Sequence, residues 1–451
     1  MSRFLFDSDP RSAFLLRGYA GTGKTSLVSA LIQTLPQLRV NCVLLAPTGR
    51  AAKVISGYSH RPAFTIHKKI YLTATDASGV LRTVRAVNKY AYTLFIVDEA
   101  SMIGLEPSGT HRSLLEDLVD YVYSGNHCRL MLIGDSAQLP PVGQSESPAL
   151  DERFLTASYG LNLTSGELTE VVRQQQQSGI LDNATALRGR IASFSAGDEA
   201  LFPSFHTAPD VVRLEGEELM DTLNREYGSY NLEDVVVITR SNKRANLFNQ
   251  GIRNSVLFRE GEVNAGDYLM VVKNNYYWID DDSTIGFIAN GDIVEVLSVR
   301  HVQELYGFRF ADATLRFVDY PDEPSRDCKL LLSTLYSESP SLTSEEQARF
   351  YAAVMEDYAD LPHKADRLRE LRQNPYYNAL QVKFSYALTC HKTQGGQWRT
   401  VIVDQGFLPP DMPIDREFLR WLYTAFTRAT GRVYLLGFDR QFFSGEGSGE
   451  A

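Results

Sequence analysis

The stretch that most constrains this fold is Gly18-Tyr19-Ala20-Gly21-Thr22-Gly23-Lys24-Thr25-Ser26. It matches the pattern G-x-x-x-x-G-K-[ST] without a substitution. Its glycines permit backbone angles that turn amide N–H groups inward around a phosphate. The apolar run 13–16 before it predicts a buried strand, and residues 26–35 after it predict a helix whose N-terminus favours an anion. This strand–loop–helix context favours a nucleoside triphosphate site over an ordinary glycine-rich turn.

The residue types of this loop fit different parts of a triphosphate. Lys24 supplies a compact positive charge for the β and γ phosphates, and Thr25 offers a hydroxyl to Mg²⁺. The predicted nucleotide contacts are Gly18, Gly21, Thr22, Gly23, Lys24, Thr25 and Ser26.

Composition sets the broad class of the protein. The chain has 451 residues, enough for about two to four domains. No signal pattern and no apolar run long enough to span a bilayer are present, and the scattered cysteines form no C-x-x-C pair, so we expect a cytoplasmic protein with reduced thiols. The net charge of −10 argues against a general coating of DNA, so any nucleic acid contact must lie in a local groove.

A second apolar run, 93–97, leads directly into two carboxylates, Asp98 and Glu99. In a phosphate-loop NTPase, the first would hold Mg²⁺ directly or through water, and the second would polarise the water that attacks the γ-phosphate. By itself this pattern is more typical of an acidic turn after a strand. Its occurrence after Lys24 favours the catalytic interpretation.

A third strand, 130–133, precedes the polar loop 134–143, which contains Gln138. This amide both donates and accepts hydrogen bonds, so it could contact the γ-phosphate and a neighbouring protein surface together. An ordinary loop glutamine fits the sequence equally well. The polar stretch 71–92 predicts a small hairpin-like insertion.

The second half of the chain repeats the strand–helix pattern and then departs from it. An apolar strand at 235–239 is followed by a helix to about Arg253, which predicts a second α/β domain. Short β segments between 268 and 299 predict a small inserted barrel, with a charged helical region at 341–374. Further predictions are one buried strand at 382–388, a helix from Arg416 to Ala429 that ends at Gly431, and a disordered tail after 443.

Taken in order, these stretches resemble a superfamily 1B DNA helicase of the RecD/Dda-like branch. The matching segments are 18–26, 46–53, 65–67, 97–101, 134–142, 172–174, 239–253, 388–396 and 423–428. They span nearly the whole chain. Apart from the phosphate loop each segment is weak alone, but the ordered set is specific.

The resemblance implies an α/β fold with two RecA-like P-loop NTPase domains and with ATP and Mg²⁺ between them. It also implies a small pin insertion in the first domain and an SH3-like β-barrel insertion in the second. The predicted bounds are 1–175 for the first domain with the pin at about 71–92, 176–275 and 380–445 for the second, 276–379 for the barrel with its helices, and 446–451 for the tail.

The resemblance also assigns residues to ATP hydrolysis. The implied catalytic set is Lys24, Glu99, Gln138, Arg173 and Arg428, with Gly396 close to the γ-phosphate and Asp98 and Thr25 on the metal. An arginine that reaches the γ-phosphate from a second domain neutralises charge in the transition state and makes hydrolysis depend on domain closure. From sequence alone, Arg428 could equally be a solvated cation at a helix end.

A second implied set binds single-stranded DNA: Pro47, Thr48, His67, Arg240, Asn242, His391, Lys392 and Thr393. Cations and hydroxyls suit phosphates, and aromatic faces suit bases. His67 and His391 also fit as ordinary loop histidines. The implied partners are single-stranded DNA and single-strand/duplex junctions, together with replication or repair proteins.

The leading hypothesis is an ATP-dependent helicase that moves 5′ to 3′ on single-stranded DNA, with the polarity resting on the resemblance alone. One alternative is a DNA-stimulated ATPase or remodeller without strand separation. Another is a non-motor NTP-binding regulatory module, against which Glu99 and Arg428 argue because a pure binder needs neither. The family usually carries an adenine-reading glutamine before the first strand, and residues 1–12 contain none, so either that contact is absent or the start is truncated.

Overall fold

The computed structural model describes residues 2–75, 81–108, 112–170, 178–194, 203–279, 287–408 and 414–443. Arg173 and the predicted tail at 446–451 lie outside these ranges.

Twenty strands and thirteen α-helices are found in the described ranges. The strands are β1 (Ser12–Gly18), β2 (Asn41–Ala46), β3 (Ala63–Thr65), β4 (Tyr71–Thr75), β5 (Leu81–Arg85), β6 (Thr93–Val97), β7 (Pro107–Ser108), β8 (Arg112–Ser113), β9 (Arg129–Gly134), β10 (Asn162–Leu168), β11 (Val211–Leu214), β12 (Val235–Thr239), β13 (Tyr268–Val271), β14 (Ile293–Leu305), β15 (Phe308–Phe317), β16 (Arg326–Leu331), β17 (Leu380–Phe384), β18 (Ala387–Thr389), β19 (Trp398–Asp404) and β20 (Ala429–Leu436). The helices are α1 (Ser2–Leu5), α2 (Lys24–Thr34), α3 (Gly49–Ser59), α4 (Ile66–Ile70), α5 (Leu114–Tyr123), α6 (Glu152–Tyr159), α7 (Gly179–Ser193), α8 (Leu219–Ser229), α9 (Asn242–Gly251), α10 (Ser344–Glu356), α11 (Lys364–Gln373), α12 (Cys390–Thr393) and α13 (Arg416–Phe426).

The chain divides into two compact units. The first contains Met1–Leu72, Thr83–Gly216 and Cys390–Ala451, and the second contains Thr73–Arg82 and Glu217–Thr389. The first unit therefore joins the phosphate loop to the C-terminal segment that the sequence assigned to a second RecA-like domain. Helix α13 packs against α7 within this unit. The division into two RecA-like domains stays a prediction.

A six-stranded parallel sheet forms the centre of the first unit, in the order β10-β1-β9-β6-β2-β3. Alternate residues of β1 enter different apolar clusters. Ala13 and Leu15 belong to one cluster, whereas Phe14 and Leu16 belong to the other. Because successive side chains of a strand point to opposite faces, this sheet is covered on both sides, which explains its uninterrupted apolar strands.

The same unit contains a parallel group in the order β11-β20-β19. The sequence predicted a helix from Arg416 to Ala429, with Gly431 as the glycine that terminates it. This prediction was wrong. Helix α13 ends at Phe426, and Gly431 lies inside β20. A Cβ on Gly431 would lie 2.9 Å from the carbonyl oxygen of Arg399. Glycine therefore serves the close approach of two strands here, not a helix terminus.

In the second unit, β12 and β18 pair in parallel, and five strands close a barrel in the order β13-β14-β15-β16-β17. The barrel uses strands from Tyr268 to Phe384, so its first and last strands lie outside the predicted range 276–379. Helices α10 and α11 contribute Phe350, Val354 and Leu368 to a core shared with Phe308 of the barrel. The resemblance of this barrel to an SH3 fold stays a prediction.

The predicted single strand at 382–388 was wrong, because the chain splits there into β17 and β18. Tyr386 lies between the two strands and is 1% exposed. Its hydroxyl donates to Asp267 at 2.9 Å and accepts the amide of Tyr268 at 3.0 Å. This buried anchor separates two strands whose apolar residues run together in the sequence.

Residues 71–75 and 81–85 pair as a two-stranded sheet, at the position of the predicted insertion. The base of this hairpin is tied to the first unit. The Tyr71 hydroxyl bonds Asp117 at 2.8 Å, Arg85 lies 3.2 Å from Asp120, and Asn88 donates to the carbonyl oxygen of Tyr121 at 2.9 Å. These bonds show that Tyr71 and Asn88 belong to the core rather than to a removable insertion. None of the described helices is long and apolar enough to cross a bilayer.

Candidate nucleotide-binding site

The phosphate loop adopts the backbone that its glycines predicted. Gly21 and Gly23 have φ values of 77° and 82°, which side-chain-bearing residues rarely adopt. A Cβ on Gly18 would lie 2.9 Å from Cγ of Lys24 and 3.1 Å from Cβ of Leu168. The loop is therefore packed closely enough to require glycine at its first position as well.

Lys24 begins α2, and its ammonium group folds back over the loop. It donates to the carbonyl oxygens of Gly18 and Tyr19, the second at 2.9 Å. Its Nζ also lies 3.9 Å from a carboxylate oxygen of Asp135. A nucleotide phosphate would compete with these three oxygens for the same cation.

The two predicted carboxylates follow β6 as expected. Asp98 accepts hydrogen bonds from the hydroxyl of Tyr58 at 3.2 Å and from the amide of Glu99 at 2.8 Å. Glu99 has a φ of 51°, an uncommon conformation for a residue other than glycine. Backbone strain of this kind persists where the surrounding structure enforces it, and it is common at functional sites.

Burial disfavours the charged form of both carboxylates. Desolvation, followed by the neighbouring charge of Asp98, raises the pKa of Glu99 to about 7, whereas the cations Arg428 and Lys24 oppose the shift. Desolvation also raises the pKa of Asp98. A carboxylate with a pKa near neutral is suited to general base catalysis at physiological pH.

These groups line one cavity of about 490 Å³ in the first unit. Its wall includes the following residues: Tyr19, Ala20, Gly21, Thr22, Gly23, Lys24, Thr25, Ser26, Asp98, Glu99, Asp135, Gln138, Ser178, Ile180, Leu181, Gly396, Gln397 and Arg428. The start of α7 also contributes to this wall, and no sequence motif predicted that contribution. The cavity brings together the loop, both carboxylates, Gln138, Gly396 and Arg428, which the family resemblance assigned to nucleotide binding and hydrolysis.

Arg428 is not a solvated cation, because only 5% of it is exposed. Its guanidinium donates to the carbonyl oxygen of Thr424 at 3.1 Å, to that of Gly396 at 3.3 Å and to the hydroxyl of Thr427 at 3.1 Å. These bonds fix a planar charge in the wall of the cavity. Such a group can bind phosphate oxygens bidentately.

Gln138 is also buried, and its Oε1 has no hydrogen-bond partner among the described residues. The loop that carries it is held from the C-terminal segment: the amide of Leu139 donates to Thr424 at 2.9 Å, and Gln394 donates to the Leu139 carbonyl at 2.9 Å. A buried acceptor without a partner is costly unless a ligand or water completes it. Gln138 is therefore not an ordinary surface glutamine.

The predicted DNA contacts of the first unit lie on short elements next to the sheet. Thr48 caps α3 by accepting the amide of Ala51 at 3.2 Å, which leaves its hydroxyl proton available. His67 lies on α4, with its ring 5.6 Å from that of Tyr71. Burial lowers the pKa of both His67 and His391 and lowers that of Lys392 to about 8.

The remaining predicted contacts are distributed unevenly. Pro47 is half-buried before α3, and Thr393 is buried at the end of α12, where its hydroxyl donates to the Cys390 carbonyl at 2.7 Å. In the second unit, Arg240 is exposed, and Asn242 begins α9. Helix α9 ends at Gly251, close to the predicted end, and a π-helical turn follows to Val256.

A magnesium ion fits the chemistry of this site. Thr25 and Asp98 both line the cavity and offer hydroxyl and carboxylate oxygens, which Mg²⁺ prefers together with phosphate oxygens. The described ranges contain no group of three or more His, Cys, Asp or Glu side chains suited to a metal ion. The metal would therefore need the nucleotide phosphates to complete its ligands.

Two residues of the site were missed by the sequence analysis. Tyr58 bonds Asp98 from forty positions away, and Tyr423 reaches both the phosphate loop and Asp135. No local pattern marks either tyrosine, because each acts through a residue that is remote in the sequence.

The described elements together define a P-loop nucleotide-binding site: a strand, the phosphate loop, a helix, the paired carboxylates and a buried arginine. Comparison with known families agrees. The AAA domain family matches residues 6–199, and the UvrD-like helicase C-terminal domain family matches residues 384–436. The first match covers the part of the chain that carries the phosphate loop and both carboxylates, and the second covers the segment that carries Arg428.

Among curated proteins, the chain is similar to the ATP-dependent RecD2 DNA helicase of Deinococcus radiodurans, with 27% identity over 62% of this chain and 36% of that protein. It is also similar to the ATP-dependent DNA helicase dda of Enterobacteria phage T4, with 32% identity over 38% of this chain and 37% of that protein. The chain thus matches somewhat more than a third of the length of each relative.

The fold resembles that of a solved structure of two coordinating Pif1 helicases at forked double-stranded DNA. The TM-score is 0.50 and the identity is 16%, with 97% of this chain and 91% of that chain covered. At this identity the likeness establishes the α/β fold and nothing finer.

Proposed function

We propose that this protein is an ATP-dependent DNA helicase that moves along single-stranded DNA and unwinds duplexes. The observation that carries the proposal is the shared cavity of Lys24, Glu99 and Arg428. A protein that only binds nucleotide needs neither a base with a raised pKa nor a buried arginine beside it. The site is therefore suited to hydrolysis.

Coupling to DNA is supported by the elements that surround the cavity. Gly396 accepts a hydrogen bond from Arg428, and the preceding short helix carries His391 and Lys392. A DNA phosphate bound by Lys392 would thus act on the same stretch of backbone that holds Arg428. Two family relatives are named as ATP-dependent DNA helicases, which supports the same activity here.

We further propose the finer features implied by the resemblance: two RecA-like domains, 5′-to-3′ movement, an SH3-like barrel, and a hairpin at 71–85 that separates the strands. We assign Mg²⁺ to Thr25 and Asp98, and DNA contact to Pro47, Thr48, His67, Arg240, Asn242, His391, Lys392 and Thr393. Arg173 is proposed as a second γ-phosphate arginine on sequence grounds alone. Cytoplasmic location and association with replication or repair proteins are proposed on the same grounds.

Single-stranded DNA should stimulate ATP hydrolysis strongly, and the stimulation should weaken as salt rises. With two or three phosphate contacts, the DNA concentration for half-stimulation should rise roughly tenfold between 50 and 200 mM salt. The measurement is the steady-state ATPase rate with an oligothymidylate over a salt series. Lys24→Ala, which removes the phosphate cation, is the control for contaminating ATPases. A wild-type rate unaffected by DNA at low salt would instead support a non-motor nucleotide-binding module.

Replacing residues 73–83 by a short Gly-Ser linker should abolish unwinding of a tailed duplex and preserve DNA-stimulated hydrolysis. The change spares Tyr71 and Asn88, which are bonded into the core and whose loss would damage the fold. Strand separation and hydrolysis rates are measured on the same preparation. Val87→Ser, at a side chain that is 80% exposed, is the matched control beside the hairpin. Unchanged unwinding would show that the hairpin does not separate strands, and loss of both activities would show that it serves the motor itself.

A further inference from the structure

One face of α13 is directed at the loop 135–146 and at the phosphate loop. Arg420 and Arg416 both pair with Glu146, at 2.6 and 3.0 Å. Tyr423 and Thr424 follow about one turn after Arg420. Tyr423 bonds the phosphate loop, and Thr424 bonds the loop 135–146. The spacing of these residues places them on the same side of the helix. Arg428 follows directly after the helix, so the helix ties the arginine to both loops.

Tyr423 occupies the centre of this contact. Its hydroxyl donates to Oδ2 of Asp135 at 2.7 Å and accepts the backbone amide of Ala20 at 2.9 Å. The side chain is 1% exposed. Burial raises the pKa of Tyr423 well above its ordinary value, so the hydroxyl keeps its proton throughout the working pH range. Both functions of the hydroxyl, donor and acceptor, are used.

Asp135 is buried to the same extent and is bonded on both oxygens. Oδ1 accepts the amide of Ala137 at 3.0 Å, and Oδ2 accepts the Tyr423 hydroxyl. Oδ2 also lies 3.9 Å from Nζ of Lys24. A buried carboxylate that loses a donor is left undercompensated and attracts the nearest cation more strongly.

We infer that the Tyr423 hydroxyl is a positioning group for nucleotide binding. It donates a hydrogen bond to the Asp135 carboxylate, so that Lys24 is free to turn to the phosphates. It also holds the phosphate loop in place by accepting the Ala20 amide. The inference rests on the proposed nucleotide site. It assigns a role in nucleotide binding to Tyr423, which is separate from the role proposed for Arg428 in hydrolysis. Removal of the hydroxyl would leave the Asp135 carboxylate without its donor and the Ala20 amide without its acceptor. Lys24 would then be held by Asp135, in competition with the phosphates.

The test is a double-mutant cycle of Tyr423→Phe and Asp135→Asn, which isolates the interaction between the two side chains. The readout is the affinity for a fluorescent ADP analogue with Mg²⁺, which does not depend on turnover. Tyr423→Phe should weaken binding about tenfold, because the ring is kept but a buried carboxylate loses its donor. In the Asp135→Asn background the same change should cost clearly less, because no buried charge remains to capture Lys24 and only the Ala20 amide loses its partner. Asp135→Asn alone is the reference for this second arm, and it should not weaken binding, because it removes a carboxylate that competes with the phosphates for Lys24.

Tyr227→Phe is the matched control, because it removes a buried tyrosine hydroxyl for which the described part of the chain offers no hydrogen-bond partner. It should leave affinity unchanged. An equal loss from Tyr423→Phe in both backgrounds, or no loss in either, would overturn the inference. If Tyr423→Phe does not fold, as judged by thermal melting, a large loss of affinity in Asp135→Asn alone would overturn it as well. Failure of the proposed function is distinguishable, since it would appear as wild-type protein that binds the analogue but does not hydrolyse ATP.

Discussion

Changing Arg428 to lysine should slow ATP hydrolysis by about 10³-fold or more, since arginine fingers contribute roughly 10³–10⁵ to the rate. The guanidinium is oriented by bonds to Thr424, Gly396 and Thr427, and it lines the nucleotide cavity. A lysine keeps the charge but lacks the planar fork, so it cannot hold this orientation and contact the γ-phosphate together. The measurement is single-turnover hydrolysis with saturating single-stranded DNA.

The control for this change is Arg440→Lys, at an exposed arginine in the same unit, which should leave the rate unchanged. Affinity for the nucleotide should fall far less than the rate, because the arginine acts mainly on charge that develops in the transition state. A rate within tenfold of wild type would remove Arg428 from the catalytic set and leave Arg173 as the remaining candidate.

Changing Glu99 to glutamine should lower the hydrolysis rate by about 10²–10⁴-fold, the usual contribution of a general base, while nucleotide binding persists. Glutamine keeps the shape of the side chain but cannot accept a proton from water. Glu106→Gln, which neutralises an exposed carboxylate in the same unit, is the matched control and should leave the hydrolysis rate unchanged. A Glu99→Gln variant with intact turnover would refute the assignment of hydrolysis to this residue.

The pH profile gives an independent readout of the same residue. Burial and Asp98 raise the pKa of Glu99 to about 7, so the protonated, inactive form predominates below that pH. The hydrolysis rate of the wild type should therefore rise with pH through a midpoint at or below about 7 and level off above that midpoint. Bound Mg²⁺ would move this midpoint downward, because a nearby cation favours the carboxylate. The residual rate of Glu99→Gln should not show the rise.

The phosphate loop and the two carboxylates were predictable because each combines a fixed residue pattern with an apolar strand directly before it. The division of residues 382–388 into two strands was not predictable, because one long strand and two short consecutive strands show the same apolar periodicity. What divides them is a hydroxyl bond from Tyr386 to Asp267, more than a hundred positions away. The misplaced helix end at Gly431 has a similar cause, because that glycine serves contact with Arg399 on a neighbouring strand.

The same limit applies to the site. Gln138 and Arg428 were ambiguous in the sequence because a surface glutamine and a solvated arginine look identical to buried ones until packing is known. Tyr423 lies inside a stretch that matched the family, yet its contact with Ala20 could not be inferred from spacing. The role of a residue can be predicted from sequence where it depends on the local backbone conformation. A role that depends on a partner remote in the sequence can be assigned only when the folded structure is known.

The hydrogen bond between Ala20 and Tyr423 joins positions 403 residues apart. At about 5–20 residues per second on the ribosome, Arg428 is synthesised roughly 20–80 s after the phosphate loop. During that interval the nascent chain carries Lys24, Asp98 and Glu99 but not the arginine that completes their cavity. The wall of the cavity that carries Arg428 is therefore added only after the phosphate loop and both carboxylates have been synthesised.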